Sequence, residues 1–359
     1  MSFMQVACLN ANERILWDTF LTDQPFFARL QSWAWGEFKE KLGWTTYRVA
    51  VRDNGEIVAG AQMLIKPLPL GKSVAYVPRG PAGRWSHDEA AHLLFGELKC
   101  IARKNGAVFL KIEPAIDDTP EMQALLKKYQ FRKSRMNNQP KSTILLNLNQ
   151  EQDEILSQMR KTTRRYIRRT EKEGITVRFG TSEDLPAYLD LMGLTGKRKR
   201  FSVRNQKYYQ SEWEALSTGQ QGALLLACHR DQVIAARVIY RFGSHAAEFH
   251  AGSRVVPGLH PNYLLAWEGI KWAQSKGCLT YDMWGIPDEI DPENEESKKI
   301  ERRGGLWGVY QFKRGFSTNI ISYIGAYDCI FIPSLYYFLF NSGMLRGRWW
   351  EHVAALMDR

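Results

Sequence analysis

The chain passes twice through one order of elements, and this duplication restricts its fold more than any single motif does. In the first pass, "GEIVAGAQMLIKPLPLGKSVAYVPRGP" (55–81) reads as two extended strands around a turn. The helical pattern "AAHLLFGELKCIARKNG" (90–106) follows, then the short apolar strand "AVFLKIEP" (107–114), and the half closes on "KKYQFRKS" and "STILLNL". In the second pass, "DQVIAARVIYRFGSHAAEFHAGS" (231–253) is again strand, turn, strand. The helix is now "NYLLAWEGIKWAQSKG", the strand "CLTYDMWGI", and the close "WGVYQFKRGF" with "ISYIGAYD". Each helix runs into a glycine, Gly106 or Gly277, of the kind that ends helices in the left-handed conformation. Tyr-Gln-Phe recurs at 129–131 and 310–312, near the close of each half. The order predicts a duplicated α/β unit.

At 359 residues there is room for about two such domains, each with its own core. The formal charge of +11 favours an anionic partner such as RNA, a phosphorylated substrate or an acidic membrane surface. Five cysteines are scattered without CxxC spacing, which argues against a disulfide framework and a zinc site and suits a reducing compartment. No basic segment followed by an apolar run opens the sequence, so no signal peptide is expected. The apolar run "IISYIGAYDCIFIPSLYYFLF" (320–340) is interrupted by Gly325, Asp328 and Pro333. It reads as a buried strand and a packed aromatic helix, with a membrane-surface helix ending in "RGRWW" as the alternative.

The repeated unit resembles the GNAT acyltransferase fold, in which two central strands splay apart and the acyl donor inserts between them. The glycine-rich loop that holds the pyrophosphate of acyl-CoA in that fold is missing. At the equivalent place stands "RVVPGLHPNYLL", where Pro257 removes a backbone donor, and "RWSHDEAAHLL" in the first half is no better. The expectation is therefore an α/β (α+β) chain of two tandem GNAT-like domains with mixed central sheets and a different acyl carrier. The first domain is expected over 1–150 and the second over 151–359. The second would open with a basic helix at 158–174 and end in the aromatic strand and helix.

Five segments carry a closer likeness: "QSWAWGEFKEKLGW", "AYVPRGP", "MRKTTRRYIRRTEKEGITVRFG", "YLLAWEGIKWAQSKGCLTYDMWGI" and "GVYQFKRGFSTNIISYIGAYD". In this order, from about Phe27 to about Tyr337, they resemble the FemABX peptidoglycan-bridge aminoacyltransferases. No sustained heptad pattern lies between Gly180 and Ala251, so the chain is similar to compact members without a coiled-coil insertion. The resemblance implies transfer of Gly, Ala or Ser from aminoacyl-tRNA to an amine of a UDP-linked or lipid-linked muropeptide. It implies a cytoplasmic monomer with no cofactor and no metal, in peripheral contact with the inner membrane face if the acceptor is lipid-linked.

Ester aminolysis needs positioning, oxyanion stabilisation and a route for one proton, so no nucleophile triad is required. The resemblance places Lys313 beside the transferring carbonyl, with Phe312 packing against it. A lone lysine would otherwise read as a solvated side chain at a strand edge. The resemblance matches Lys39 and Arg204 to diphosphate-binding positions, chemistry that an ammonium and a guanidinium fork both suit. It places Tyr208 (or Tyr209) near the muropeptide. Glu113, where the family carries Asp before Pro, is a candidate proton acceptor; its alternative is a carboxylate that only ties down backbone N–H groups. Asp282 and Trp284 occupy the corresponding strand of the second repeat; for Asp282, orienting Tyr281 or serving as a turn carboxylate is the alternative. Arg79 either touches substrate or braces its turn. Seven cations crowd into 160–172, with Arg160, Arg164, Arg168 and Lys172 at helical spacing on one face. Arg164, Arg165 and Arg168 are candidates for tRNA phosphates; a solvated connecting helix is the alternative. An acyl-CoA acetyltransferase, or a non-catalytic protein binding RNA or membrane, would be the competing functions.

Overall fold

The computed structural model describes residues 4–199, 203–294, 296–297, 300 and 306–341. Arg200, the last residue of a basic run "KRKR" (197–200), and the tail beyond Asn341, with "RGRWW", lie outside the described residues. Two units emerge: one from the chain up to Lys141 together with the chain from Tyr323 onward, the other from Ser142–Ser322.

The first unit begins with β1 (Met4–Cys8), α1 (Arg14–Thr22), α2 (Trp33–Lys41), β2 (Thr45–Asp53) and β3 (Glu56–Leu68). It continues through β4 (Lys72–Val77), β5 (Ala82–Gly83), α3 (Asp88–Lys104), β6 (Ala107–Ile112), α4 (Pro120–Lys128) and β7 (Arg132–Lys133). Apolar positions of α3 recur at helical spacing (Ala91, Leu94, Phe95, Leu98, Ile101, Ala102), and that stripe is buried against the sheet. Acidic Asp88 and Glu89 lie in its first turn, Arg103 and Lys104 in its last, each favourable to the helix dipole. The helix stops where the sequence pattern puts its end, at Gly106 with φ +69°.

The second unit contains β8 (Ser142–Asn147), α5 (Gln152–Gln158), α6 (Lys161–Lys172), β9 (Thr176–Phe179), α7 (Leu185–Lys199) and α8 (Gln206–Leu216). The repeated hairpin follows as β10 (Gly222–His229), β11 (Gln232–Phe242) and β12 (His245–Ser253). Then come α9 (Pro261–Ser275), β13 (Thr280–Ile286), α10 (Trp307–Lys313) and β14 (Ile320–Ser322). Two helices of 15 and 11 residues, α7 and α8, occupy the stretch where no heptad pattern was found. The chain returns to the first unit as β15 (Tyr327–Ile330) and α11 (Pro333–Asn341).

Both sheets are mixed, as expected. The first has the order β1-β2-β3-β4-β6-β15-β7 with β5 beside β3, and the second β14-β8-β13-β12-β11-β10-β9. In each, the second hairpin strand pairs parallel to the strand after the helix, β4 with β6 and β12 with β13. A crossover helix imposes that direction.

Two expectations need correction. "STILLNL" was read as closing the first half, but β8 lies between β13 and β14 in the second sheet. The matching strand of the second half, β15, lies between β6 and β7 in the first. Each half therefore contributes its last strand to the other unit's sheet, and the division falls after Lys141 and again after Ser322 instead of at residue 150. The cores follow the pairing. Ile144 and Leu146 join the second core, whereas Ile324, Tyr327 and Cys329 join the first. The second correction concerns Tyr-Gln-Phe, which is not equivalently placed. Tyr129–Phe131 follows the end of α4, whereas Tyr310–Phe312 lies inside α10.

The apolar run at 320–340 forms the buried strand and packed helix of the sequence reading. Tyr336, Leu339 and Phe340 of α11 pack on Val74, Val108 and Phe109. Among the described residues no helix is long and apolar enough to cross a membrane.

Candidate active site in the second sheet

The parallel pair β12–β13 is short. Three registered pairs, from His245↔Thr280 to Ala247↔Asp282, are followed by a parting of the strands, although β12 continues to Ser253 and β13 to Ile286. This is the splay that the GNAT-like pattern predicts. Both strands are irregular at the parting. The β11–β12 register slips beside Val238, where Phe249 is extra, and the β13–β8 register slips between Asp282 and Gly285. Bulges re-aim side chains and interrupt ladders, which suits them to the mouth of a site. Trp284, within the second bulge, has φ +63°, a left-handed conformation rare for a bulky residue. The Asp282 carboxylate braces it, accepting from Trp284 N at 2.7 Å and from the Thr143 hydroxyl of β8.

Lys313 reaches this bulge from the last turn of α10. Its Nζ donates to Trp284 O at 3.1 Å and to Gly285 O at 2.7 Å. Two of three ammonium hydrogens are thereby used, and no described residue takes the third. Burial of the ammonium lowers the pKa to about 8, while Glu248 and then Asp282 oppose the fall and Arg237 adds to it. The lysine is thus a helix residue aimed into the splay, not a side chain at a strand edge. Phe312 packs with Tyr263 (4.9 Å between ring centroids) and Phe316 (5.1 Å), fixing the end of α10.

Beneath lies a buried network of which the sequence reading named only Tyr281, as a partner for Asp282. Arg237 of β11 and Glu248 of β12 form an ion pair, with side chains 3% and 8% exposed. Tyr281 donates to the second Glu248 oxygen at 3.0 Å. Gly269 of α9 makes room for this tyrosine: a Cβ there would lie 2.8 Å from Tyr281 Oη and 2.3 Å from Ile239. The available signal was a charged residue inside each apolar strand, "IAARVIY" and "HAAEFHA".

Arg204 and Tyr208 stand at the start of α8, where Asn205 caps the helix by accepting from Tyr208 N at 2.8 Å. Arg204 lies over the Tyr208 ring at 5.4 Å. From there aromatic contacts run through Tyr209 (5.5 Å), His250 (5.1 Å) and Phe249 (6.0 Å) to Trp284 (5.2 Å). The structure therefore connects Arg204, Tyr208, Trp284, Asp282, Phe312 and Lys313 within one unit.

The basic helix is α6, preceded by the separate α5 and ended at Gly174. Thr163, Ile167 and Thr170 are its buried side, and Tyr166 stacks on Tyr263 at 4.8 Å. Arg164 donates to Ser157 O (2.7 Å) and Met159 O, so part of its fork holds the end of α5. Arg165 and Arg168 are exposed. With Lys161, Arg164, Arg169 and Lys172 they line an open trough of about 650 Å³.

The remaining candidates belong to the first unit. Glu113 is 3% exposed and accepts from Tyr76 Oη, Asn138 N and Gln139 N, the last at 3.1 Å. Burial raises its pKa, against the pull of Lys111 and these hydrogen bonds. Arg79 (φ +50°) donates to Pro140 O at 2.9 Å and lies 4.6 Å over Tyr323. Glu113 and Arg79 thus hold one segment, 138–140. Lys39, in the last turn of α2, lies over Trp35 and Phe38 at 4.6 and 4.7 Å.

Duplicated mixed sheets, one parting beside a half-buried lysine, define a protein of two tandem GNAT-like domains. A FemX crystal structure superposes with TM-score 0.81 at 22% identity, over 93% of this chain and 99% of that one. A tandem GNAT protein from the clavulanic acid biosynthesis pathway superposes with TM-score 0.55 at 11% identity, over 91% and 98%. The FemAB family model matches residues 13–229 and 220–341. The chain belongs to the FemAB family. Among its relatives, a lipid II:glycine glycyltransferase of Staphylococcus aureus is 24% identical, over 89% of this chain and 92% of that protein.

Proposed function

We propose that this chain is a peptidoglycan-bridge aminoacyltransferase that moves Gly, Ala or Ser from aminoacyl-tRNA to an amine of a lipid-linked muropeptide. The observation that carries the reading is Lys313, an ammonium with one uncommitted donor among the described residues, set where β12 and β13 part. The neutral acceptor amine attacks the ester carbonyl carbon, a C–N bond forms and the C–O bond to the tRNA ribose breaks. The amine proton ends on the departing ribose oxygen. Lys313 stabilises the negative charge that passes from carbonyl oxygen to ribose oxygen, a role for which an enclosed ammonium is effective. Arg204 and Tyr208 of the second unit take the pyrophosphate end of the acceptor, and Lys39 of the first unit is a separate ammonium suited to phosphate oxygens. Glu113 and Arg79 hold the 138–140 segment, and the trough on α6 offers Arg165 and Arg168 to tRNA phosphates.

Support for the acceptor comes from the relatives named for lipid II. Against an acyl-CoA donor, the loop between β12 and α9 holds Pro257 and leads into Pro261 at the first turn, so two backbone donors that a pyrophosphate would need are missing. The test is to incubate the purified protein with lipid II or the UDP-linked precursor and a mixture of charged tRNAs, and to weigh the products. A mass increase of one amino-acid residue on lipid II is expected. No increase on either acceptor, or acetylation from acetyl-CoA, defeats the proposal.

A further inference from the structure

We propose that Glu248, fixed by Arg237 and Tyr281, is a positioning residue that keeps Lys313 an ammonium in the opening between β12 and β13. The inference deepens the reading just given and rests on it for its meaning, though its test does not. Both Glu248 oxygens are occupied, one by Arg237 and one by Tyr281 at 3.0 Å. Held at both oxygens, the carboxylate is fixed in place beside the opening. Its site is the first residue of β12 beyond the last registered pair, Ala247↔Asp282, directly where the strands separate. Lys313 arrives at the same place from α10 and holds the opposite strand through Trp284 O and Gly285 O.

A buried ion pair is a poor means of stabilising a sheet, because desolvation cancels most of its attraction. Here Arg237 also keeps an Nε–H without a hydrogen-bond partner among the described residues. Apolar residues would fill these positions in β11 and β12 at lower cost. The pair makes sense through its effect on Lys313. The charged groups that act on that ammonium are Glu248 from β12, Asp282 from β13 and Arg237 from β11, with Glu248 the strongest attraction. Asp282 is already engaged by Thr143 and Trp284 N. Enclosure alone pushes the lysine toward its neutral form, which has no charge to offer an oxyanion. Glu248 opposes that loss, and Arg237 limits how far it does so while holding the carboxylate still.

The experiment is a titration of Lys313 itself in the full chain without substrate, using protein labelled with 13C at lysine Cε and the Lys313→Met variant to assign the signal. The wild-type midpoint is expected at about 8. Glu248→Gln should lower it by about one pH unit or more, Arg237→Gln should raise it, and Glu248→Asp should restore most of the wild-type value. The alkaline limb of kcat for transfer to lipid II should move in the same directions. An unmoved midpoint in Glu248→Gln, or a fall in Arg237→Gln, overturns the inference. If Arg237→Gln does not fold, Glu248→Gln against Glu248→Asp decides. Midpoints that move as stated in a protein that transfers nothing to lipid II support the inference while removing the reaction assigned above.

Discussion

The two sheets of this molecule start from the same plan and treat their parallel pair in opposite ways. In the first unit β4 and β6 slip once, between Ser73 and Ala75, and then stay paired to their last residues, Val77↔Ile112. In the second, β12 and β13 part after Asp282. Each seam has a lysine near it, Lys111 buried and Lys313 half-buried. Lys111 donates to Ser134 Oγ and Met136 O and has the Asp328 carboxylate 3.0 Å away as its counter-ion. Lys313 donates to two carbonyls only. Lys111 is thus matched to a buried counter-ion, whereas Lys313 has no ion-pair partner among the described residues. Duplication supplied two copies of the unit, and among the described residues only the second parts its parallel strands short of their ends.

The contrast breaks most visibly at Lys111. Lys111→Met leaves Asp328, 1% exposed, as a buried charge without its cation, and should cost about 3–5 kcal/mol of unfolding free energy. Transfer per folded molecule should be unchanged. Denaturant titration alongside an active-site-normalised rate measures both, and lost transfer in a protein of normal stability would erase the distinction between the lysines. Lys313→Met should do the reverse, lowering turnover about 10²–10³-fold, some 2.7–4 kcal/mol of transition-state stabilisation. A near-normal rate in purified Lys313→Met would take the chemistry out of the second seam.

Glu113 sharpens the comparison from the other side. Its raised pKa means that the folded chain holds a proton there at pH values where the unfolded chain has lost it. Stability from this group is therefore greatest below the usual carboxylate range and declines as pH rises through the raised folded value. Glu113→Gln removes that decline but leaves two backbone N–H groups and Tyr76 with fewer acceptors, for a net cost of about 2 kcal/mol near neutrality. Turnover should stay within a few-fold of wild type. A hundredfold drop in turnover with normal stability would make Glu113 the proton acceptor and give the first unit a share of the chemistry.

How much of this the sequence disclosed depended on the range of the interactions. The repeat and the glycine-ended helices come from local periodicity and from order along the chain, and both can be read; the parting of β12 from β13 was implied only by the likeness to the GNAT fold. The exchange of β8 and β15 cannot. "STILLNL" and "IGAYDCI" are apolar runs that suit a central strand of either sheet, and their partners are fixed only by tertiary pairing. Lys313 was legible through its motif, but its direction was not, because "WGVYQFKRGF" gives no sign that helix α10 ends against a bulge. Arg237 and Glu248 were visible as charges within apolar strands, yet their pairing depends on the slip at Phe249, which no spacing rule shows.

The smallest effect concerns the basic helix, and it separates binding from chemistry within the second unit. Arg164 is partly engaged in capping α5, whereas Arg165 and Arg168 are exposed on the trough. If those two meet tRNA phosphates, Arg165→Glu with Arg168→Glu removes two charge contacts. The slope of log K against log salt should then fall by about 1.4–1.8, at roughly 0.7–0.9 per phosphate. Affinity for charged tRNA at moderate salt should fall about tenfold, and kcat at saturating tRNA should be unaltered, because neither side chain adjoins Lys313 or its bulge. A titration of binding across salt concentrations reads the slope directly. An unchanged slope would make α6 a solvated connector whose like charges are simply tolerated. A lower kcat at saturation would instead join the helix to the site that Lys313 defines.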